Sequence, residues 1–216
     1  MKKTDIKKLR EDYSKGILKP SDLMDHPLKQ FINWFEEAVD FGVKEPNAMI
    51  LSTIDKNNSP SSRTVLMKES NDHGIVFYTN LESDKALHIA RNNKVSVLFL
   101  WLEMERQVRM IGTATIVGNN TATKYFQTRP KASQIGAWAS AQSKILEDRK
   151  TLESKVKKLQ EQYKNEDVLP KPSFWGGYLI KPSQIEFWQG RRNRLHDRLR
   201  YNQLDNGDWN LIRLNP

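Results

Sequence analysis

The sequence predicts a mainly β fold with flanking helices, an α+β arrangement built on a closed or nearly closed antiparallel β-barrel. Short apolar stretches of strand length recur along the chain. They are separated by turn sequences such as Asp55-Lys56-Asn57-Asn58, Asn71-Asp72-His73-Gly74 and Asp205-Asn206-Gly207-Asp208. Helical periodicity is confined to a few segments. The ten glycines include no G-x-G pair, so neither a Rossmann fingerprint nor a P-loop is present.

The first 27 residues are polar and Lys-rich, with Leu9, Tyr13, Ile17 and Leu18 as apolar anchors. They read as a partly ordered arm ahead of a single domain over 28–216. The first helix is expected to be capped by Asp25 and to carry Pro27 in its first turn. Leu28, Phe31, Ile32, Phe35, Ala38 and Val39 recur at helical spacing until Gly42 ends it. Strands are expected at Ala48–Ile54, Ser62–Lys68 and Ile75–Thr79, then a short helix around Ser83–Asn92. Val95–Leu102 is an apolar strand. Arg106–Val117 follows, placing Val108, Met110, Gly112, Ala114 and Ile116 on one face at period two. Two helices come next, Thr121–Thr128 with Thr121 as cap and Pro130 beyond its end, and Ile145–Tyr163. Strands Ser173–Ile180 and Gln184–Gln189 are expected to be separated by Lys181-Pro182-Ser183, and Arg198–Gln203 and Trp209–Leu214 form a hairpin.

The chain is long enough, at 216 residues, to bury a core without staples. Lys and Arg exceed Asp and Glu by 35 to 26, a net charge of +9 that suits anionic partners. Cysteine is absent, which excludes disulfides, thiolate catalysis and Cys-ligated zinc. No apolar core region follows the basic stretch Met1–Arg10, so no signal peptide is expected. The longest apolar run, Val97–Leu102, is too short to cross a bilayer. A cytoplasmic protein is therefore expected.

His26, His73, His88 and His196 show no metal-ligand spacing, so no metal is expected, and no G-x-S-x-G elbow occurs. Such a chain can still be an enzyme if a cofactor carries the chemistry. Arg63 and Lys68 lie on one predicted strand at an odd offset, which would turn them to opposite faces and toward different ligand groups. Tyr78 and Thr79 end a strand, and Ser83 and Lys85 open a helix, a setting that favours a phosphate. Tyr125, Arg129 and Ser133, spaced by four, offer one charge and two hydroxyls, but share a face only if the helix resumes in line beyond Pro130. Arg191, Arg192, Arg194, Arg198 and Arg200 crowd beside Trp188 and Tyr201, a pattern that a nucleic-acid-binding barrel could also carry. Asp197 within that run fits poorly with a phosphate-tracking arm.

These segments resemble the pyridoxine/pyridoxamine 5′-phosphate oxidase family of FMN enzymes. The resemblance runs from about Leu9 to the C-terminus. It is carried by Arg63-Thr64-Val65-Leu66-Met67-Lys68, Phe77-Tyr78-Thr79-Asn80, Glu105-Arg106-Gln107-Val108, Ser133-Gln134-Ile135-Gly136-Ala137-Trp138, Phe174-Trp175-Gly176-Gly177, Ile185-Glu186-Phe187-Trp188-Gln189-Gly190 and Arg194-Leu195-His196-Asp197-Arg198. It implies a split β-barrel homodimer with FMN in clefts lined by both subunits. It also implies oxidation of pyridoxamine and pyridoxine 5′-phosphates by dioxygen to pyridoxal 5′-phosphate, releasing hydrogen peroxide and, from the amine, ammonia.

The same resemblance implies that Arg63, Lys85, Gln142 and Ser143 hold the phosphate end of FMN. Tyr78, Thr79, Gln107, Trp188 and Arg198 would surround the rest, and Thr64, Val65, Leu66, Met67 and Lys68 would pass beside it. Lys68, Tyr125, Arg129 and Ser133 would take the substrate phosphate. Arg194 and His196 would face the reacting ring as catalytic groups. Arg10 and Tyr13 would belong to an arm that folds over the substrate. Asp84 departs from the family, where a basic residue precedes the lysine, and a carboxylate beside a phosphate weakens binding unless it points away. Another split-barrel flavoprotein, a flavin reductase or a flavin carrier, is the alternative within the same fold.

Overall fold

The computed structural model describes Asp5, Lys7, Leu9 and residues 11–216. Its strands are β1 (Ala48–Ile54), β2 (Pro60–Asn71), β3 (Gly74–Asn80), β4 (Lys94–Trp101), β5 (Arg106–Ile116), β6 (Trp175–Gln189), β7 (Asp197–Gln203) and β8 (Trp209–Leu214). Its α-helices are α1 (Pro27–Phe41), α2 (Asp84–Arg91), α3 (Asn119–Thr128), α4 (Lys131–Ala139) and α5 (Arg149–Gln162). The sheet order is β3-β2-β1-β4-β5-β6-β7-β8, and β3 also pairs with β6. That extra pairing closes β1 to β6 into a six-stranded antiparallel barrel, with β7 and β8 as an extension. No helix of the described residues is long and apolar enough to cross a membrane.

The chain divides into two compact units. The first holds the chain up to Met49 with Val97–Ile111 and Pro182–Pro216; the second holds Ile50–Ser96 and Gly112–Lys181. In the first, α1 buries Leu28, Phe31, Trp34 and Ala38. The Phe31 ring lies 4.9 Å from Phe99, and Trp34 meets Phe187 edge-on at 5.1 Å. Each fully buried aromatic contributes about 1.5–3 kcal/mol relative to exposure. His26, not Asp25, occupies the N-cap position, because Pro27 already stands at the first helical residue. Gly42 ends the helix in the left-handed conformation at φ 82°. Val39 is exposed, since the buried stripe runs through Trp34 instead.

The segment 11–22 lies against this first unit. The Lys15 N–H donates to Glu105 Oε2 at 2.9 Å, and the Leu18 N–H donates to Asp197 Oδ2 at 3.1 Å. A Cβ at Gly190 would stand 2.8 Å from Tyr13, so only glycine lets the segment approach there.

The second unit differs from expectation in four places. α3 begins at Asn119 after Gly118, not at Thr121. α4 is an additional helix: Pro130 is its N-cap, and its carbonyl accepts from the Ser133 and Gln134 N–H groups. A proline read as a terminator thus opens the next helix, where its missing N–H has no partner to lose. α5 starts at Arg149 under an Asp148 cap, leaving Ile145 fully exposed outside it. Ile116, placed by its spacing on the face of the buried Val108, Met110 and Ala114, is exposed at the end of β5.

β6 is one strand, not two. Its residues 175–180 pair with β3 and 184–189 with β7. Pro182 falls between the two ladders, so its missing N–H removes a bond from neither.

Candidate functional site

The second unit carries an open cavity of about 500 Å³. β2 contributes Thr64, Val65, Leu66 and Lys68 to its wall, and β3 contributes Tyr78 and Thr79. Lys85 enters from α2, Gln142 from the loop after α4, and Tyr125, Arg129 and Ser133 from the α3–α4 corner. The four-residue spacing of the last three is not a shared helix face, because the chain is extended at Arg129. They nevertheless meet at one cavity because α4 resumes one residue beyond.

Lys85 is buried, and its Nζ donates to Thr79 Oγ1 at 3.2 Å, Ser83 Oγ at 3.0 Å and Gln142 Oε1 at 2.8 Å. All three acceptors are neutral. Burial, followed by the nearby Arg63 charge, pushes its pKa down to about 8, against the pull of Asp84. Asp84 itself is exposed in the first turn of α2, where a carboxylate suits the helix end. Its charge favours the cationic forms of Lys85 and Arg63. Ser143, held left-handed at φ 70°, accepts from the Asp84 N–H through Oγ at 3.3 Å.

Arg129 forms the second cationic point. Its guanidinium lies 5.0 Å from the Trp175 ring centre and 5.5 Å from that of Phe126. Its Nη1 is buried without a hydrogen-bond partner. Burial lowers its pKa, opposed by Tyr125. Tyr78 stacks on Tyr125 at 4.1 Å and on Trp175 at 5.3 Å, forming a flat aromatic wall. Burial and the hydrogen bond to Glu69 raise the Tyr78 pKa.

Arg63 and Met67 do not line the cavity. Arg63 Nη1 donates to Leu51 O, Thr53 Oγ1 and Ser61 O, and Nη2 donates to Ser61 Oγ. Met67 is buried. Lys68 lines the cavity on the same alternation as Thr64 and Leu66, and β2 bulges there: Met67 pairs with Phe77 and Glu69 with Val76, leaving Lys68 as the extra residue.

The first unit carries the remaining predicted residues. Tyr13, Trp188 and His196 form an aromatic group, with His196 4.6 Å from Trp188 and 5.5 Å from Tyr13. His196 Nδ1 accepts from the Arg191 N–H at 3.1 Å, which leaves the ring proton of the neutral form on Nε2. Burial and Arg194 lower its pKa. Arg194 is exposed and left-handed at φ 61°, beside Asn193 at φ 55°, and lines a cavity of about 300 Å³ with Tyr13 and His196. Backbone held in this region at two adjacent non-glycine residues marks a strained turn.

Arg198 is bound to the buried Glu186 through Nε and Nη2, at 2.9 and 3.2 Å. Arg191 pairs with Asp197 at 2.8 Å. The arginine run is thus partly neutralised by carboxylates, unlike a surface that tracks phosphates. Gln107 is half-buried on β5. Arg10 lies outside the described residues.

Two further residues matter at the main cavity. Gln134 is almost wholly buried; its Nε2 donates to Arg129 O at 2.8 Å and its Oε1 accepts from the Leu169 N–H at 2.8 Å. It fixes the corner that presents Arg129. Trp175 supplies the surface over which that guanidinium lies. Both fall in the quoted motifs, but their roles depend on α4, which the proline concealed.

Among the described residues no group of three or more His, Asp or Glu is placed to hold a metal ion. The main cavity fits a phosphorylated aromatic molecule. It offers three cationic side chains, Lys68, Lys85 and Arg129, an unpartnered guanidinium nitrogen, several hydroxyl and amide donors, and no lining carboxylate. FMN, a flat aromatic molecule ending in a phosphate, is of that class.

The fold and this cavity define a member of the split-barrel class. A family model described as pyridoxamine 5′-phosphate oxidase matches residues 35–163, and one described as the pyridoxine 5′-phosphate oxidase C-terminal dimerisation region matches 175–216. A pyridoxine/pyridoxamine 5′-phosphate oxidase of Crocosphaera subtropica is 48% identical over 98% of this chain and all of its own length. One from Salinibacter ruber is 46% identical over 96% of this chain and 97% of its own. The crystal structure of PhzG from Burkholderia lata 383, solved with tetrahydrophenazine-1-carboxylic acid, superposes with a TM-score of 0.87 at 30% identity, covering 93% of this chain and 98% of that one. The chain belongs to the pyridoxamine 5′-phosphate oxidase family.

Proposed function

We propose that this chain is an FMN-dependent oxidase that converts pyridoxamine 5′-phosphate and pyridoxine 5′-phosphate to pyridoxal 5′-phosphate. Family membership supports the reaction. The observation that carries the reading to this molecule is one cavity with two anion-seeking points, Lys85 and Arg129, joined by an aromatic wall.

When bound, FMN supplies the two-electron acceptor that dioxygen regenerates with release of hydrogen peroxide. Lys85, Gln142, Ser143 and Thr79 would hold its phosphate end, with Arg63 adding positive charge behind them. Thr64, Val65, Leu66, Met67 and Tyr78 would shape the adjoining wall. Lys68, Arg129, Tyr125 and Ser133 would take the substrate phosphate, which gives the orphan Arg129 nitrogen its partner. Anchoring both phosphates fixes the relative position of two flat molecules before reaction. Arg194 and His196 would orient the reacting ring as catalytic residues, with Tyr13 and Arg10 closing over it. Nδ1 of the neutral His196 already accepts from the Arg191 N–H, so toward the reacting ring its role would be donation from Nε2.

Gln107, Trp188, Arg194, His196 and Arg198 are not among the residues lining the main cavity. Those from 188 to 198 fall within the stretch matched by the dimerisation region. We infer a homodimer in which a second copy brings these residues to the FMN cleft. A cytoplasmic location accords with the absence of cysteine.

The test is anaerobic. Protein loaded with FMN is mixed with pyridoxamine 5′-phosphate while the visible flavin band is followed. Bleaching, reversed by air, is expected. FMN that binds yet keeps its colour would move the protein to another split-barrel activity, a flavin reductase or carrier. Failure to bind FMN would overturn the cofactor assignment.

A further inference from the structure

Beside the main cavity stands a carboxylate with no part in the scheme above. Glu69 follows the bulged Lys68 and pairs with Val76. In an unbulged ladder Lys68 would pair with Val76 and Glu69 with Ile75, so Glu69 would face away from Tyr78. The extra residue turns it onto the face shared by Val76 and Tyr78. The Tyr78 hydroxyl donates to Glu69 Oε1 at 2.6 Å. From behind, the ring is blocked by the β6 main chain: a Cβ at Gly177 would stand 2.6 Å from Tyr78 Cδ1. The Tyr78 ring is therefore held at its tip by Glu69 and along one edge by Gly177, in contact with Tyr125 at 4.1 Å.

We propose that Glu69 is a positioning residue that also sets substrate affinity: it holds the Tyr78–Tyr125 wall in place by one hydrogen bond, and its charge limits how tightly the phosphate ester binds. The inference rests on the proposed reading of Lys68, Tyr125, Arg129 and Ser133 as the substrate-phosphate end. No carboxylate lines the cavity itself, so Glu69, one residue from Lys68, opposes a local cationic field. Its influence has a direction. It raises the pKa values of both Tyr78 and Tyr125, whereas the shifts at Lys85 and Arg63 trace to burial, Asp84 and, for Lys85, Arg63. Glu69 thus acts on the Tyr78–Tyr125 wall, with no such effect at Lys85 or Arg63. Because Tyr78 spends its only proton on Glu69, Tyr125 is the hydroxyl of the pair left to donate to a ligand.

Two substitutions separate the hydrogen bond from the charge. Glu69→Gln keeps an acceptor for Tyr78 and removes the charge; Glu69→Ala removes both. In the FMN-loaded protein at low ionic strength, Glu69→Gln is expected to lower KM for both phosphate esters about threefold to tenfold. The competitive inhibition constant of inorganic phosphate should fall by a similar factor. High salt should shrink both differences, which a purely structural effect would not show. The FMN dissociation constant should stay within about twofold of the parent. Glu69→Ala is expected to have a KM several-fold above that of Glu69→Gln, and adding Tyr78→Phe should change it little further, because the two share one hydrogen bond. An unchanged KM and phosphate inhibition in Glu69→Gln overturns the charge effect. Equal KM values in the Gln and Ala variants overturn the positioning role. Arg129→Ala runs in parallel: if it leaves KM unchanged, the phosphate-end reading fails, whereas a raised KM there with inert Glu69 variants sinks this inference alone.

Discussion

Lys85 shows how a single burial event gives a site its pH response. Its pKa falls from the ordinary 10.5 to about 8 because the ammonium is removed from water among neutral oxygens. Between those values the unfolded chain binds more protons than the folded one, so the stability of the FMN-free protein should rise with pH across that window. A phosphate bound to the ammonium acts the other way. Binding above pH 8 must take up a proton, so the FMN dissociation constant should rise by up to about tenfold per pH unit there. Fluorescence titrations across pH 7 to 10 would read that slope, and Lys85→Met should flatten it; a slope that persists would assign the proton elsewhere. For Arg194 and His196 a different signature is expected: alanine at either should lower kcat about tenfold to a hundredfold while the protein keeps its flavin. Loss of flavin in step with turnover would make them cofactor ligands instead. At this scale the sequence brought Thr79, Ser83 and Lys85 together as neighbours, joined in the structure by hydrogen bonds. What it could not show is where each guanidinium goes: Arg63 spends its donors on Leu51, Thr53 and Ser61, and Arg198 on Glu186, because partners distant in sequence compete for them.

Elements were legible where one pattern governed them and obscure where proline carried two meanings. β1 and β8 keep the bounds their alternation predicts. α4 was missed because Pro130 ends one helix and caps the next, and β6 was divided at Pro182, where its pairing changes from β3 to β7. The β2 bulge leaves no signature in composition, yet it decides which way Glu69 faces. The antiparallel contact of β3 with β6 gives a sharp prediction. Gly177 sits opposite Tyr78, and Gly177→Ala would force a Cβ within 3.0 Å of the Phe77 carbonyl as well as into the ring. A loss of about 1–3 kcal/mol is expected, with a fall in Tm of several degrees. Gly136 in α4 has open space at its Cβ. Ala there should instead stabilise the helix by about 0.5–1 kcal/mol. Thermal melts of the two variants moving in the same direction would refute the steric argument.

At the scale of the whole molecule, the barrel and its extension account for one chain, but the proposed site asks for two. The segment matched by the dimerisation region contains Trp188, Arg194, His196 and Arg198, while Lys85, Gln142 and Arg129, the groups proposed to bind phosphate, belong to the second unit. If a second copy completes each cleft, flavin binding and association are linked: each should strengthen the other by the same factor. The assembly should have a mass of about 50 kDa, twice the 25.2 kDa of one chain. FMN affinity should fall as the protein is diluted through its dimer dissociation constant, and FMN should shift that constant downward. Sedimentation with detection at the flavin band would follow both species at once. Flavin travelling with a 25.2 kDa particle at unchanged affinity would mean that one chain holds the cofactor unaided. The Arg198–Glu186 pair would then be read as a structural link between β7 and β6, and the catalytic pair Arg194 and His196 would have to reach the flavin within the same chain.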